Sequence, residues 1–138
     1  MLEALATWFR QEFAPDRRAL LVGDLNVAPL ATDVWNHRLL LKVVSHTPIE
    51  VSALAALQAS HRWVDAVRHF VPAAKRLYSW WSYRAQDWAK SDRGRRLDHV
   101  WVTPPLVAQL HGADALRAAR GWPQPSDHVP VTVDLADR

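Results

Sequence analysis

The stretch that decides the fold is Arg93-Gly94-Arg95-Arg96-Leu97-Asp98-His99-Val100-Trp101-Val102. A glycine interrupts three arginines, one aspartate follows, and an apolar run rich in β-branched residues continues the chain. The run predicts a buried strand with Asp98 at its mouth. A carboxylate beside this much positive charge is a common way to set an acid next to a bound anion. A charged turn before a core strand explains the same spacing equally well, so the two interpretations stay open at this point.

The composition is that of one globular domain. With 138 residues, of which 49% are hydrophobic and 22% charged, the chain is long enough to bury a core and too apolar to be disordered. The net charge of +3 is modest, but residues 62–96 carry nine basic and three acidic side chains, so that segment is +6 and the remainder is −3. Such a segment suggests a surface that faces a polyanion, although a solvated charged loop fits it as well.

The lack of cysteine and of any membrane-spanning or signal-peptide pattern bears on the cellular compartment in which the protein would work. The sequence has no cysteine, which excludes disulfides and thiol chemistry and agrees with a reducing compartment. No apolar run approaches the length of a membrane span, and charges at Glu3, Arg10 and Glu12 interrupt any signal-peptide pattern. We therefore expect a cytoplasmic protein that does not bind membranes.

Hydrophobic periodicity and turn residues predict the secondary structure. In chain order, the predicted elements are a helix at 2–13 ended by Pro15, a buried strand at 18–22, a helix from Thr47 to about Ala59, a strand at 77–84, a strand at 96–102 and a final strand at 129–135. The polar loop 85–95 would join its two flanking strands into an antiparallel hairpin. That hairpin would bring aromatic side chains beside the arginines.

Acidic side chains stand at the edges of three predicted strands: Asp24 with Asn26, Asp98, and Asp127 with His128. Alternation along an extended chain would place Asp24 and Asn26 on the same side. A carboxylate and an amide oxygen on one side suit Mg²⁺ or the orientation of a water. The same Gly-Asp-x-Asn pattern is also typical of a turn in which Asp and Asn bond their own backbone.

One of the seven histidines has the setting of a functional residue. His128 sits beside an aspartate in a turn just before a strand, whereas His99 should point to the opposite face of its strand from Asp98. The remaining five are expected at the surface: His37, His46, His61, His69 and His111.

These residue types together suit phosphodiester hydrolysis with a hard divalent cation. Asp98 would polarise His128, which would contact the scissile phosphate. Asp24 would hold or deprotonate the attacking water, and Asn26 would orient that water. Mg²⁺ would offset the charge that develops on the phosphate oxygens. The phosphate backbone on either side of the scissile bond would be held by the basic side chains of the hairpin, Arg84, Arg95 and Arg96.

Five motifs, in chain order, resemble the C-terminal half of exodeoxyribonuclease III: Gly23-Asp24-Leu25-Asn26, Asp65-Ala66-Val67-Arg68, Tyr78-Ser79-Trp80-Trp81-Ser82-Tyr83-Arg84, Gly94-Arg95-Arg96-Leu97-Asp98-His99 and Pro125-Ser126-Asp127-His128-Val129-Pro130-Val131. This AP endonuclease family lies within the endonuclease/exonuclease/phosphatase superfamily, which shares the Asp-x-Asn and Ser-Asp-His elements. The tryptophan-rich and Gly-Arg-Arg-Leu-Asp-His stretches point more narrowly to its DNA repair branch.

The resemblance implies an α/β fold in which 1–138 form the C-terminal half of a four-layered α/β sandwich of the DNase I type. The expected sheet is mixed, mostly antiparallel and flanked by helices. The implied activity is cleavage of double-stranded DNA that depends on Mg²⁺, with Mn²⁺ as a substitute. It comprises 3′→5′ exonuclease activity at 3′ termini and endonuclease activity at abasic sites in base excision repair. Such a protein would lie in the cytoplasm of a bacterial-type cell, associated with the nucleoid through DNA.

The resemblance also assigns roles by motif. Asp24 and Asn26 match the catalytic Asp-x-Asn, and Asp98 matches the aspartate that pairs with the catalytic histidine, here His128. The implied metal-site residues are Asp24, Asn26, Asp127 and His128. Trp80 and Leu97 fall where the family lines its abasic-sugar pocket. Arg95 occupies a position that is aromatic in some relatives.

The family domain is roughly twice this length. Its N-terminal half supplies an Asn, a metal-binding Glu and a Tyr or His, which have no counterpart in this sequence. We therefore expect only one of the two sheets, with an apolar inner face that associates with the N-terminal half or with a second copy. Two alternatives stay open, namely a non-catalytic remnant that binds duplex DNA, and a phosphatase or phosphodiesterase that acts on a small substrate.

Overall fold

The computed structural model describes residues 1–14 and 16–137. Over these residues the elements are α1 (Leu2–Glu12), β1 (Leu20–Asp24), α2 (His37–Leu40), α3 (Pro48–Ala59), β2 (Val64–Asp65), α4 (Ala66–Phe70), α5 (Trp88–Ser91), β3 (Asp98–Val102), β4 (Leu110–Ala115) and β5 (Val131–Leu135). Short 3₁₀ turns link them at Ala31–Asp33, Pro104–Gln109 and Arg117–Gly121. None of the described helices is long and apolar enough to cross a membrane.

The strands form two antiparallel sheets, one in the order β1-β3-β2 and one that pairs β4 with β5. The apolar run that opens the sequence analysis is the central strand of the first sheet, as predicted. β1 begins two residues later than predicted and continues to Asp24, which lies directly opposite Asp98 of β3. The register of this pair therefore brings the two predicted catalytic carboxylates together.

Side chains of β3 alternate between two cores. Val100 and Val102 pack against α4 and against the sheet of β4 and β5. Trp101 packs on the opposite side, against α1 and α3. His99 shares the side of Trp101, as predicted from alternation. The chain thus supplies strands to two stacked sheets, and the expectation that only one sheet would be present is wrong.

The helices before β2 largely follow the sequence prediction. α1 ends one residue early, and Pro15, which was predicted to end it, lies outside the described residues. α3 starts with a capping box: Thr47 Oγ1 accepts from the backbone N–H of Glu50 at 3.4 Å, and Glu50 Oε2 accepts from the backbone N–H of Thr47 at 3.2 Å. Buried Leu54 and Leu57 then hold the helix against α1.

The predicted hairpin of 77–84 with 96–102 is wrong. β3 pairs with β1 and β2 instead, and the segment 77–84 makes only isolated bridges through Trp80, to Arg95 and to His128. The backbone N–H groups of Ser79 and Trp80 both donate to the carbonyl of Arg95, at 2.9 and 3.0 Å. The alternation of large and small side chains in 77–84 reflects a segment that divides its bridges between Arg95 and His128. The segment still brings Trp80 beside Arg95, as predicted. The loop 85–95 contains the short helix α5.

Two histidines that were expected at the surface are buried. His37, His69 and His111 are exposed as predicted, whereas His46 and His61 are each only 2% exposed. The ring of His61 packs among aromatic side chains of α1 and the residue before β2. The ring of His46 is held by hydrogen bonds. An imidazole can be buried in these ways because its body is largely apolar.

Candidate active site

A tight turn at the end of β1 presents Asp24. The turn uses Gly23 at φ 147° and Asn26 at φ 56°, and both values lie in the region that L side chains rarely adopt. The backbone N–H of Asn26 donates to Asp24 Oδ1 at 2.9 Å. Asp24 Oδ2 lies 3.7 Å from His128 Nε2. The turn interpretation of the Gly-Asp-x-Asn pattern is therefore confirmed. The ligand role of Asp24 and Asn26 stays a prediction, for which one carboxylate oxygen remains outside the turn.

The backbone at Asp98 is held by the hydroxyl of Ser79, a contact that the sequence did not predict. Ser79 Oγ accepts the backbone N–H groups of Leu97 and Asp98, at 3.0 and 3.1 Å, and it is buried. In front, His128 Nδ1 donates to Asp98 Oδ2 at 2.8 Å. Nothing in the sequence distinguishes this serine from other serines of a strand-like segment, because its acceptor role depends on the bridge between segments.

His128 stands between two carboxylates. Its Nδ1 is engaged with Asp98, and its Nε2 lies 3.7 Å from Asp24 Oδ2. Burial alone would lower the pKa of His128, but the hydrogen bond and charge of Asp98, with further help from Asp24 and Asp127, raise the pKa above its ordinary value. The imidazole is therefore held with Nε2 pointing at the open side of the site, and its cationic form is favoured.

The predicted metal ligands are brought together only in part. Among the described residues, the acidic and histidine atoms of Asp24, Asp98 and His128 all lie within 4.8 Å of one another. Asp127 is not in this group, and its Oδ2 accepts from Trp80 Nε1 at 3.0 Å. Asn26 is exposed on the same turn as Asp24. Asp24, Asp98 and His128 thus form a group that could hold a metal ion, and Asp127 has an observed role in holding Trp80.

Trp80 forms a wall beside the site, together with a stacked arginine. Its ring packs on a small apolar cluster that contains Leu97, which is only 6% exposed and so supports the wall from below. The guanidinium carbon of Arg95 lies 5.3 Å from the centre of that ring, and Arg95 Nη1 donates to Val44 O at 3.1 Å and Ser45 Oγ at 3.0 Å. Burial lowers the pKa of Arg95. At this position, which is aromatic in some relatives, the guanidinium of Arg95 thus stacks on Trp80.

The prediction that Arg96 contacts the substrate is wrong, because its side chain is buried and fully used. Arg96 is 2% exposed and donates to Asp33 at 2.8 and 3.0 Å and to Asp65 at 2.7 Å. Arg68 donates to the same Asp33 at 2.6 Å. Burial alone would lower the pKa of Arg96, but the charges of both aspartates raise it. Part of the basic segment thus serves an interior ion-pair network that the sequence did not reveal.

Other arginines of the basic segment do reach the surface. Arg84 and Arg93 are exposed, and the Arg93 guanidinium lies 4.7 Å from the ring centre of Trp35. With Arg95 over Trp80, this gives two Arg–Trp pairs, Arg93–Trp35 and Arg95–Trp80. Arg93 is exposed and Arg95 is half-buried, and arginines stacked on indole rings are suited to contacts with phosphates and bases.

The comparisons with known proteins agree on the family. Residues 2–128 match the model of the Endonuclease/Exonuclease/phosphatase family. The chain is 34% identical over 132 residues to an exodeoxyribonuclease of Bacillus subtilis (strain 168), and the matched region covers 94% of this chain and 48% of that protein. It is 26% identical over 137 residues to exodeoxyribonuclease III of Haemophilus influenzae, and the matched region covers 95% of this chain and 51% of that protein.

Solved structures give the same result for the fold. An AP endonuclease from Archaeoglobus fulgidus is similar with a TM-score of 0.92 and 28% identity, over 97% of this chain and 51% of that chain. The 3′-5′ exonuclease NExo from Neisseria meningitidis has a TM-score of 0.89 and 27% identity, over 98% and 52%. The chain spans about half the length of the relatives that it matches. The predicted fold class, the C-terminal half of a DNase I-like α/β sandwich with antiparallel sheets, is confirmed. The chain belongs to the endonuclease/exonuclease/phosphatase family, and its relatives there are exodeoxyribonucleases and AP endonucleases.

Proposed function

We propose that this chain supplies the phosphate-facing half of a metal-dependent nuclease that hydrolyses phosphodiester bonds in double-stranded DNA. The observation that carries the proposal is the position of His128, which is held by Asp98 through Nδ1 and faces Asp24 through Nε2. An imidazole oriented in this way can contact the scissile phosphate as a donor. The names of the matched relatives support DNA as the substrate.

The donor set fits a hard divalent cation. Asp24 and Asn26 offer a carboxylate and an amide oxygen from one exposed turn, which suits Mg²⁺, with Mn²⁺ as a substitute. When bound, the ion would offset charge on the phosphate oxygens and lower the pKa of a bound water. Asp127 and His128 stay predicted ligands, and of these two only His128 lies close to Asp24. A His128 that donates to the phosphate through Nε2 cannot ligate the ion at the same time, because Nδ1 is engaged with Asp98. Asp24 would hold or deprotonate the attacking water, while Asn26 orients it.

The surface beside the site supports substrates with an accessible sugar or chain end. The proposed substrates are abasic sites and 3′ termini, as expected for a base excision repair enzyme. Trp80 would contact the sugar, supported by Leu97, while Arg84 and Arg95 would hold the flanking backbone. An enzyme of this kind would work in the cytoplasm, on the DNA of the nucleoid.

The free edge of β1 supports association with the N-terminal half of the fold. In the described residues β1 pairs only with β3, and Leu20 and Val22 on it are 49% and 62% exposed. An apolar edge strand is a template for pairing with another strand. We propose that a polypeptide carrying the N-terminal half pairs here and supplies the missing metal ligand. Association with a second copy through the same edge is the competing outcome.

Nicking of an abasic-site duplex tests the proposal. The 138-residue chain would be assayed with Mg²⁺, alone and with the N-terminal half of the Bacillus subtilis relative added. We expect nicking by the mixture, loss of nicking in Asp24→Ala and His128→Ala, and full activity in the control His111→Ala, whose side chain is exposed on β4. Val22→Lys should prevent association in a sedimentation experiment, because a charge on an edge strand opposes pairing.

A non-catalytic DNA-binding role is the second candidate, and the two Arg–Trp pairs, Arg93–Trp35 and Arg95–Trp80, favour it. It predicts duplex binding that weakens steeply with salt, with no cleavage by the mixture of halves. Mg²⁺-dependent nicking that Asp24→Ala abolishes would exclude this candidate. Hydrolysis of a small phosphate ester by a mixture that leaves DNA intact would favour the phosphatase alternative instead.

A further inference from the structure

Two buried histidines hold consecutive carbonyl groups directly after the Asp24–Asn26 turn. His99 Nε2 lies 2.7 Å from Val27 O, and His46 Nδ1 lies 2.6 Å from Ala28 O. These histidines are 1% and 2% exposed, respectively. They come from different elements, since His99 belongs to β3 and His46 to the loop before α3.

The hydrogen-bond partners determine which ring nitrogens carry protons. A carbonyl oxygen can only accept, so Nε2 of His99 and Nδ1 of His46 must both be donors. His46 Nε2 then accepts from Nδ1 of His37, at 2.7 Å. His99 Nδ1 is buried and has no hydrogen-bond partner among the described residues. Burying that nitrogen is unfavourable, so packing alone gives no reason for a histidine at this position.

The functional side chains of the turn do not pack, so its direction is set by buried Leu25 between them and by the residues that follow. Asp24 and Asn26 are exposed, and Asn26 adopts a left-handed backbone conformation. The residues that follow are buried: Ala28 N donates to Ser45 O at 2.8 Å while Ala28 O accepts from His46. Both backbone polar groups of Ala28 are thereby fixed to one loop, two residues from the catalytic amide.

We propose that His99 and His46 are positioning residues, which fix the direction of the Asp24–Asn26 turn by holding the carbonyls that follow it. The inference rests on the proposed function, in which this turn carries the metal and water ligands. Groups that orient ligands in this way typically change metal affinity or rate by about 10- to 100-fold when removed. Neither histidine touches substrate, so each acts only through the turn.

Amide side chains allow a matched test, because each can replace one ring nitrogen. The amide nitrogen of Asn lies near the position of Nδ1 of histidine, and that of Gln lies near the position of Nε2. His46→Asn and His99→Gln therefore keep the donor, whereas His46→Gln and His99→Asn misplace it. His46→Leu removes the donor altogether. Asn and Gln differ by one methylene, but the donor-keeping variant is the smaller one at position 46 and the larger one at position 99, so a volume effect alone would give opposite results at the two positions. Exposed His111→Asn is the control.

Amide hydrogen exchange in the 138-residue chain is the first measurement. We expect exchange at Asn26 and Ala28 to become about tenfold faster in His46→Leu, His46→Gln and His99→Asn, and to stay near the unsubstituted rate in His46→Asn and His99→Gln. Exchange at Val100 and Val102 of β3 should not change. Mn²⁺ binding, followed by the paramagnetic signal of free Mn²⁺, should weaken about tenfold in the same three variants.

The inference is overturned if donor-keeping and donor-misplacing variants behave alike, or if the variants lower only the melting temperature. Those results would mean that the histidines merely fill the core. Failure of the proposed function gives a different pattern. Absence of Mn²⁺ binding and of nicking by the unsubstituted chain combined with the N-terminal half would contradict the nuclease proposal, while the exchange pattern would still decide whether these histidines position the turn.

Discussion

Two neighbouring strands of the same sheet, β3 and β1, differ in how much of their surroundings this chain supplies. β3 pairs on both edges, and Val100–Val102 are buried. β1 pairs only with β3 in the described residues, and Val22, directly opposite Val100, is 62% exposed. The predicted catalytic groups follow the same division, because Asp98 begins β3 and Asp24 ends β1. The chain therefore surrounds the Asp98 side of the candidate site with its own residues, whereas the Asp24 side lies on the strand whose second edge is unpaired in the described residues.

Removing the buried cation before β3 should have the largest effect. Arg96→Met leaves Asp33 and Asp65 without the side chain that donates to both, and breaking such a buried pair typically costs about 3–5 kcal/mol of unfolding free energy. Urea unfolding measures the loss. Arg84→Met is the control, because Arg84 is exposed and its replacement should change stability by less than about 0.5 kcal/mol. Equal losses in the two variants would contradict the structural role of Arg96.

Disconnecting the histidine from β3 should affect catalysis more than stability. Asp98→Asn keeps the shape of the side chain but removes the charge that orients His128. We expect nicking by the two combined halves to fall by about a hundredfold or more, since general acid–base groups typically contribute that much. Initial rates on an abasic duplex measure the effect, and Asp114→Asn, an exposed residue on β4, is the control. An unchanged rate would exclude a catalytic Asp98–His128 pair.

A pair of glycine substitutions compares the packing of the two sides. A Cβ on Gly94, which lies just before β3, would overlap the ring of Tyr78, so Gly94→Ala should cost about 1–3 kcal/mol through overpacking. A Cβ on Gly23 of β1 would meet nothing within 4 Å, but φ of 147° makes alanine strained there. We expect Gly23→Ala to cost about 1 kcal/mol. Thermal unfolding ranks the two, and a reversed order would contradict the packing difference.

Sequence patterns predicted the parts of the molecule whose causes are local. The β-branched run of β3 and the helix that starts at Thr47 depend on neighbours along the chain, and both are confirmed. The motif resemblance brought Asp98 and His128 together across 30 residues, and the 2.8 Å hydrogen bond agrees with it. The pattern of 77–84 misled because alternation does not show whether a segment pairs with one strand or divides its hydrogen bonds between two.

Partners distant in sequence explain the remaining errors. Arg96 looks like a surface residue in a basic stretch, because its partner Asp33 lies 63 positions away. His46 has no acidic neighbour along the chain, and its partners are a backbone carbonyl and another histidine. A sequence offers no local signal for either arrangement, since both depend on how separate elements meet.

The smallest expected effect is the pH dependence of stability that comes from His128. Its pKa is raised in the folded protein, so the folded state binds the proton more tightly than the unfolded chain does. This stabilisation is fully present below the ordinary histidine pKa of 6.5 and is lost as the pH rises through the higher folded value. Since the side chain is about one-third exposed and screened by solvent, the loss should amount to roughly 0.5 kcal/mol.

Urea unfolding between pH 5.5 and pH 9, about the range over which histidine changes charge, would measure this loss against His128→Gln. The difference in unfolding free energy between the two proteins should shrink as the pH rises. A difference that grows instead would mean that the neutral imidazole is the better partner of Asp98, which would break the assignment of the charged pair to the β3 side.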